Sequence, residues 1–170
     1  MKRLTLIRHA NAEWKDASIA DFDRPLNRRG TSEAESIGKL LMENELVPDL
    51  LLVSTARRTQ QTAEIVARML GLPSRLIKPE EQLYLARAAV ILERARGTGP
   101  KIEHLAIIGH NPGISELARS LAPEDVSMPE LSTAAACTLT YPVNSWADIS
   151  ARAARAVRYE PPARLFNLFG

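Results

Sequence analysis

The amino-acid sequence predicts an α/β fold, a single three-layer α/β/α domain with a mostly parallel central sheet. Short apolar runs alternate with longer segments in which apolar residues recur at helical spacing, as is typical of parallel strands joined by helical crossovers. The chain has 170 residues, of which 45% are apolar and 25% charged, and this size and composition suit one domain with a sizeable core. We therefore expect one domain over residues 1–170.

The first half of the chain predicts two strand–helix pairs. Residues 2–8 and 50–54 are short, mainly apolar runs and are predicted to be strands; the second has no polar alternation and should be buried. Apolar residues at helical spacing predict a helix over about 28–45, with Asn27 as its N-cap, and a second helix that ends at Gly71.

The second half continues the alternation and changes character after residue 122. The predicted elements are a strand near 75–77, a helix over about 86–96, a strand over 104–109, a helix from Pro112 to about 121, and strands over about 134–141 and 154–160. Asn111 fits the N-cap of the fourth helix and Pro112 its first position. Cys137, the one cysteine, cannot form an internal disulfide and is expected in the core. No role for residues 123–170 follows from the sequence.

The charge pattern argues against nucleic acid or a membrane as partner. There are 22 basic and 20 acidic residues, interspersed along the chain, and the formal net charge is +2. No apolar run approaches the roughly 18 residues of a membrane span, and the run before Arg8 is too short for a signal peptide. We expect a cytoplasmic protein; the sequence does not indicate its oligomeric state.

Two histidines directly follow predicted strands. Arg8 and His9 come at the end of the first strand, and His110 follows the strand over 104–109. In an open α/β sheet, ligands bind outside the carboxyl ends of the strands, so the two imidazoles are expected at one edge of the sheet. Such a position can hold a histidine rigidly and expose it, as a nucleophile requires.

Positive charge should collect at the same edge. The strand that ends at Ser54 leads into a helix whose first residues include Arg57 and Arg58, and at least one of them should enter the site. Guanidinium groups and helix N-termini bind phosphate oxygens well. Neutral imidazole can accept a phosphoryl group covalently near neutral pH, so the constellation favours phosphoryl chemistry over the binding of sulfate or a carboxylate.

The chain resembles the histidine phosphatase superfamily, also named for phosphoglycerate mutase, and within it the short bacterial phosphohistidine phosphatases of the SixA type. The resemblance covers residues 1 to about 122 and is carried by the motifs Leu6–Ala10, Asp23–Gly30, Ser54–Thr62, Leu83-Tyr84 and Ile108–Pro112. It implies a phosphoglycerate mutase-like fold and a phosphorylated His9. The phosphate ligands that it implies are Arg8, Arg58 and His110, and we add Asn111 to this set.

Arg58 is preferred over Arg57 because the family's phosphate-binding arginine lies four residues after the serine and three before the glutamine. Adjacent helical residues point about 100° apart, so Arg57 is expected to face solvent.

The sequence departs from larger family members at the proton donor. Those members place a glutamate where this chain has Leu85. Acidic residues near the expected site could substitute for it, although each is more readily explained as a surface carboxylate: Glu80, Glu81, Glu13, Asp16, Asp21 and Asp23. The large insertions that cover the site in mutases are also missing, so an open site is expected.

Both departures favour a phosphoprotein substrate. Imidazole, whose conjugate acid has a pKa of about 6.5, leaves without the help that an alkoxide needs, and an open site admits a side chain presented by a folded partner. We therefore predict a metal-independent protein phosphohistidine phosphatase without a cofactor; His104, the third histidine, is expected at an exposed strand start. The alternatives are a small-molecule phosphomonoesterase and a non-catalytic phosphohistidine-binding module, and mutase activity is disfavoured.

Overall fold

A six-stranded sheet forms the centre of the computed structural model, which describes residues 1–163. The strands are β1 (Lys2–Arg8), β2 (Leu50–Ser54), β3 (Ile77–Glu80), β4 (His104–Gly109), β5 (Ala136–Tyr141) and β6 (Ala156–Glu160). Their spatial order is β3-β2-β4-β1-β5-β6. The first four strands in this order are parallel, and β5 and β6 pair antiparallel at one side.

The helices of the described part are α1 (Arg28–Glu43), α2 (Arg57–Leu70), α3 (Ala88–Arg96) and α4 (Gly113–Leu121). Successive strand residues point to opposite faces of a sheet, and both faces are apolar here. Ile7, Val53 and Ile108 belong to the core that α1 and α2 cover, whereas Leu6 and Ile107 belong to the core that α3 and α4 cover. The predicted three-layer, mostly parallel α/β/α fold is therefore confirmed. The predicted domain extends to residue 170, and residues 164–170 lie outside the described part.

The register of the central strands brings the strand-end residues together. Arg8 pairs with Gly109 across β1 and β4, and Val53 pairs with Ile108 across β2 and β4. The main-chain N–H of His9 continues the ladder and donates to Gly109 O at 3.0 Å. The residues after β1, β2 and β4 therefore emerge side by side.

The third strand lies later in the chain than predicted. The sequence predicts a strand near 75–77, but residues 74–76 form a 3-10 turn, and β3 runs from Ile77 to Glu80 with Pro79 inside it. Proline lacks the N–H that a central strand needs, and it is tolerated here because β3 is an edge strand. The last two strands are confirmed, each beginning two residues later than predicted.

Two helix starts also differ from the prediction. The α3 helix begins at Ala88, two residues late, and α4 begins at Gly113 with Pro112 at the N-cap position. The side chain of Asn111 does not cap α4, because its Oδ1 accepts from Ser115 Oγ at 2.5 Å and its Nδ2 donates to Leu131 O at 3.0 Å. The Asn27 cap of α1 is confirmed, since its Oδ1 accepts from Gly30 N at 2.8 Å.

The expectation of an exposed His104 is wrong. This residue does begin a strand, but β4 lies between β2 and β1, and neighbouring strands cover its first residue. His104 Nε2 lies 2.7 Å from Thr5 Oγ1, which also contacts Thr138 Oγ1 at 2.8 Å. Cys137 is fully buried, as predicted.

Candidate active site

A cavity of about 330 Å³ opens at the carboxyl edge of the sheet. The sequence-predicted phosphate-site residues all line it: Arg8, His9, Arg58, His110 and Asn111. Residues of the loop after β1 and of the loop after β3 also line the cavity. Several of them do not directly follow a strand, so the position at a strand end does not predict them.

His9 is held with one ring nitrogen directed into its own loop. Its Nδ1 lies 2.8 Å from Ala10 O, and because a carbonyl only accepts, Nδ1 carries the proton. Nε2 of the neutral ring therefore keeps its lone pair. Burial, with the charges of Arg58 and Arg8, lowers the pKa of His9 to about 4, so the ring is neutral at neutral pH. The side chain is only 9% exposed, and the expected solvent-facing histidine is thus largely covered.

The loop that carries His9 is fixed by α1 and α2. Thr62 Oγ1 on α2 accepts from Ala10 N at 3.0 Å, and Glu33 Oε2 on α1 accepts from Asn11 N at 2.9 Å. The backbone of α1 approaches this loop so closely that a Cβ on Gly30 would come within 1.9 Å of Asn11 O. These contacts hold the loop, and with it His9, in a fixed position at the cavity.

His110 lies beside His9, with 5.3 Å between the ring centroids. Its Nε2 is 2.7 Å from Ser54 Oγ, and Arg58 Nη2 donates to its Nδ1 at 3.2 Å. Since Nδ1 accepts, the neutral ring carries its proton on Nε2 and donates to the serine. Burial and the adjacent Arg58 charge lower the pKa of His110 to about 3.

Three guanidinium groups line the cavity, on Arg8, Arg24 and Arg58. The Nε atoms of Arg8 and Arg58 are buried without a hydrogen-bond partner in the described part of the chain. Guanidinium groups bind phosphate oxygens well, so three of them in one cavity suit an anion such as a phosphoryl group. Arg57 is exposed and lines a separate surface depression, whereas Arg58 is 2% exposed.

Asp21 is the one carboxylate among the described residues that line the cavity. Its Oδ2 accepts from Tyr84 Oη at 2.5 Å and lies 3.2 Å from Arg58 Nη2, and its Oδ1 accepts from Arg24 Nη2 at 2.9 Å. Partial desolvation opposes its ionisation, but the hydrogen bonds from Tyr84 and Arg24 and the nearby charges outweigh this and hold its pKa at about 2. At neutral pH Asp21 is a carboxylate and has no proton to donate.

The other acids considered as proton donors are not brought into the cavity. Glu13 accepts from the main-chain N–H groups of Trp14 and Lys15, and Asp16 accepts from Ser18. Asp23 lines the second depression. Glu80 and Glu81 belong to β3 and the turn that follows it, and neither lines the cavity.

Leu85 occupies the mouth of the cavity, where larger relatives were expected to carry glutamate. Its φ of +48° lies in the left-handed region, which costs a non-glycine residue about 1–2 kcal/mol. A close contact supports this loop, because a Cβ on Gly113 at the start of α4 would lie 1.9 Å from Ala86 O. The strain is maintained at the candidate site, where such residues concentrate.

Sequence reasoning missed Arg24 as a cavity residue and Asp21 as the partner of Arg58. Both lie in or beside a 3-10 turn, Asp21–Asp23, that follows no strand. Their available signal was the Asp-x-x-Arg spacing, which places the two side chains in contact across the turn. No group of three or more metal-ligating side chains was found in residues 1–163, and no helix there is long and apolar enough to cross a membrane.

Comparison with known proteins agrees with this geometry. The sequence model of the histidine phosphatase superfamily (branch 1) matches residues 4–83. An uncharacterised protein of Mycobacterium tuberculosis strain H37Rv is 32% identical over 165 residues, which span 92% of this chain and 99% of that protein. The chain belongs to the histidine phosphatase superfamily.

Solved structures point to one type within the superfamily. The crystal structure of a protein from Agrobacterium tumefaciens, assigned as the phosphohistidine phosphatase SixA, is 28% identical with a TM-score of 0.77 and covers 95% of this chain and 99% of its own. The protein histidine phosphatase SixA complexed with tungstate shares the fold, with a TM-score of 0.78 and 22% identity over 94% of this chain and 97% of that one. The predicted SixA-type membership is confirmed, and it supports a phosphatase that works through phosphohistidine.

Proposed function

We propose that this protein is a metal-independent phosphatase that removes the phosphoryl group from phosphohistidine on a partner protein, with His9 as the nucleophile. The conclusion rests on one observation above all. The only carboxyl group lining the cavity, among the described residues, is that of Asp21, whose pKa of about 2 leaves it ionised.

The reaction begins with attack by His9 Nε2 on phosphorus. Its lone pair forms the new P–N bond while the bond from phosphorus to the leaving nitrogen breaks in line; the substrate ring carries a proton on its other nitrogen and departs as neutral imidazole. Water then attacks the phosphorylated His9, and inorganic phosphate leaves with the histidine restored. The low pKa of His9 keeps the lone pair free at neutral pH, as nucleophilic catalysis requires.

The arginines neutralise the three non-bridging oxygens during both steps. Arg8, Arg24 and Arg58 line the cavity beside His9, and positive charges fixed next to the developing charge are worth far more than mobile water. His110 and Asn111 complete the polar lining. Because these side chains can supply the positive charge themselves, the chemistry does not call for a metal ion.

The substrate follows from the leaving group. A cavity without a protonated acid is poorly equipped to expel an alkoxide, and general acid catalysis is typically worth about 10²–10⁴-fold. The leaving group of phosphohistidine is imidazole, whose conjugate acid has a pKa of about 6.5, and its departure does not need a general acid from the protein. This difference favours phosphohistidine over sugar or glycerate esters.

The decisive experiment compares a histidine-phosphorylated protein with a panel of phosphate monoesters, with and without EDTA. The expected result is faster turnover of the phosphoprotein, labelled phospho-His9 after rapid quenching, and rates unchanged by EDTA. In His9→Ala both label and turnover should disappear, and retention of a tenth of the wild-type rate would exclude His9 as nucleophile. Preference for an alkyl ester would identify a small-molecule phosphomonoesterase, and binding without turnover a non-catalytic module.

A further inference from the structure

Three large apolar side chains stand exposed around the mouth of the cavity. Trp14 is 70% exposed, Leu85 55% and Phe22 41%, and they make up half of the six exposed large apolar side chains in residues 1–163. Trp14 and Leu85 border the cavity directly. Phe22 lines the neighbouring depression and is linked to the cavity through Tyr84: it packs edge-to-face on Tyr84 at 5.1 Å, and Tyr84 packs in the same way on His110 at 5.5 Å. We call Trp14, Phe22 and Leu85 the apolar rim.

The rim does not serve the core of this chain. None of its three members belongs to either of the two buried clusters. Leu85 adds backbone strain, with φ +48°, at a position where glycine would be relaxed. Exposed apolar groups gathered at one place, with polar groups around them, are typical of a protein interaction site.

We infer that the apolar rim docks the surface of a folded protein that carries the phosphohistidine, through apolar side chains next to that histidine. This inference rests on the proposed function and names the contacts that select its substrate. The phosphoryl group enters the cationic cavity among Arg8, Arg24 and Arg58, while the rim closes on the apolar surface around it. An aromatic side chain such as Trp14 buries roughly 150–250 Å² when it is covered.

Charge argues against a second copy of this chain as the occupant. A symmetric dimer through the rim would set the two cavities, each lined by three guanidinium groups and one carboxylate, face to face. A small hydrophilic ester would also leave most of the rim uncovered. An occupant that fits both the cationic cavity and the apolar rim carries an anionic group at its centre and apolar side chains around that group.

The test keeps the leaving group constant and varies only the protein surface. One substrate is free phosphohistidine; the other is a folded domain with a single surface histidine flanked by apolar side chains, phosphorylated with phosphoramidate. Trp14→Ala, Phe22→Ala and Leu85→Gly are compared with Met42→Ala, an apolar residue as exposed as Phe22 that lies about 21 Å along α1 from its first residue.

Each rim variant should lower kcat/KM for the phosphorylated domain at least about tenfold more than for the free amino acid, mainly through KM, as expected when an aromatic anchor is truncated. Met42→Ala should leave both rates unchanged. Leu85→Gly relaxes the backbone, so its Tm should not fall and a folding defect cannot explain its effect. Replacing the flanking apolar residues of the domain with serine should remove the difference between wild type and rim variants.

Two outcomes overturn the inference in different ways. An equal loss of kcat/KM on both substrates, or no loss on either, would mean that the rim does not contact the partner's surface, and the proposed function would still stand. Failure of the wild-type protein to hydrolyse the phosphorylated domain, while hydrolysing alkyl esters, would remove the proposed function and this inference together.

Discussion

Arg58 and Asp21, 37 positions apart in the chain, form the central ion pair of the cavity. Arg58 Nη1 donates to the main-chain oxygen of Asp21 at 2.7 Å, and Nη2 lies 3.2 Å from its Oδ2. The same Nη2 donates to Nδ1 of His110. Asp21 thus supplies the guanidinium with an anion of its own, and a phosphoryl group in the cavity would compete with this carboxylate for Arg58.

Removing the charge of Asp21 should therefore tighten the binding of inorganic phosphate. In Asp21→Asn we expect the inhibition constant for phosphate to fall about fivefold, because a partly exposed carboxylate a few ångströms from the ligand repels it by on the order of 1 kcal/mol. Asp23→Asn is the matched control, since Asp23 belongs to the same turn but lines the other depression. Weaker phosphate binding in Asp21→Asn would show instead that Asp21 chiefly positions the two arginines.

The two neighbouring arginines at the start of α2 should differ sharply in importance. Arg58→Ala should lower kcat at least about 10²-fold, the size of effect seen when an oxyanion donor is lost. Arg57→Ala should change kcat/KM by less than about fivefold, because that side chain is exposed outside the cavity. Circular dichroism of both variants separates loss of catalysis from loss of fold, and the reverse ranking would contradict the assignment of Arg58.

The sequence could predict those parts of the site that follow strands. A buried apolar run that ends in a histidine is a local pattern, and the carboxyl ends of parallel strands share one edge of a sheet, so His9 and His110 were expected at the same edge. The structure places them side by side because β4 and β1 are neighbours. Asp21 and Arg24 could not be placed in this way. They lie on a turn between β1 and α1, and their position is set by long-range contacts such as that of Gln61 Oε1, which accepts from Leu26 N at 2.8 Å.

Burial was misjudged for the same reason. The strand start at His104 is visible in the sequence, but which strands flank it is decided by the order β2-β4-β1, which no local pattern contains. The local sequence also does not show that β3 can contain Pro79. A proline is tolerated there because β3 lies at the edge of the sheet.

The pH dependence of the nucleophile follows from its pKa of about 4. His9 should remain neutral down to about pH 5, and the rate of its phosphorylation should fall only as the pH drops through about 4. Burial is the main cause, but Arg24 also lowers this pKa, so Arg24→Gln should move the titration upward. NMR of labelled ring nitrogens measures both values directly. A wild-type titration near 6.5 would contradict the buried, cation-flanked position of His9.

His104 should make the protein sensitive to acid without touching the site. Burial lowers its folded-state pKa to about 4, below the unfolded value of about 6.5. The unfolded chain therefore binds the proton first, and the free energy of unfolding should decrease as the pH falls from about 6.5 to about 4, by at most about 1.4 kcal/mol per pH unit for this residue. Urea unfolding at several pH values should give a shallower slope for His104→Gln, and an equal slope would exclude this contribution.

The dependence on the leaving group tests the absence of a proton donor most directly. Without a protonated acid, phosphorylation of His9 should slow steeply as the leaving group becomes more basic across a series of aryl and alkyl phosphates. Phosphohistidine and nitrophenyl phosphate should be turned over, and alkyl phosphates should be slower by about 10²–10⁴-fold. The conservative variants Glu81→Gln, Glu13→Gln, Asp16→Asn and Asp23→Asn should leave phosphohistidine hydrolysis nearly unchanged, since none of these side chains lines the cavity. A flat dependence would require a donor, and a large loss in one of these variants would identify it. Asp21→Asn is the comparison within the cavity. Because the pKa of Asp21 is about 2, this carboxylate is ionised throughout the neutral range, so its replacement should alter phosphate affinity but should not change how steeply the rate depends on leaving-group basicity.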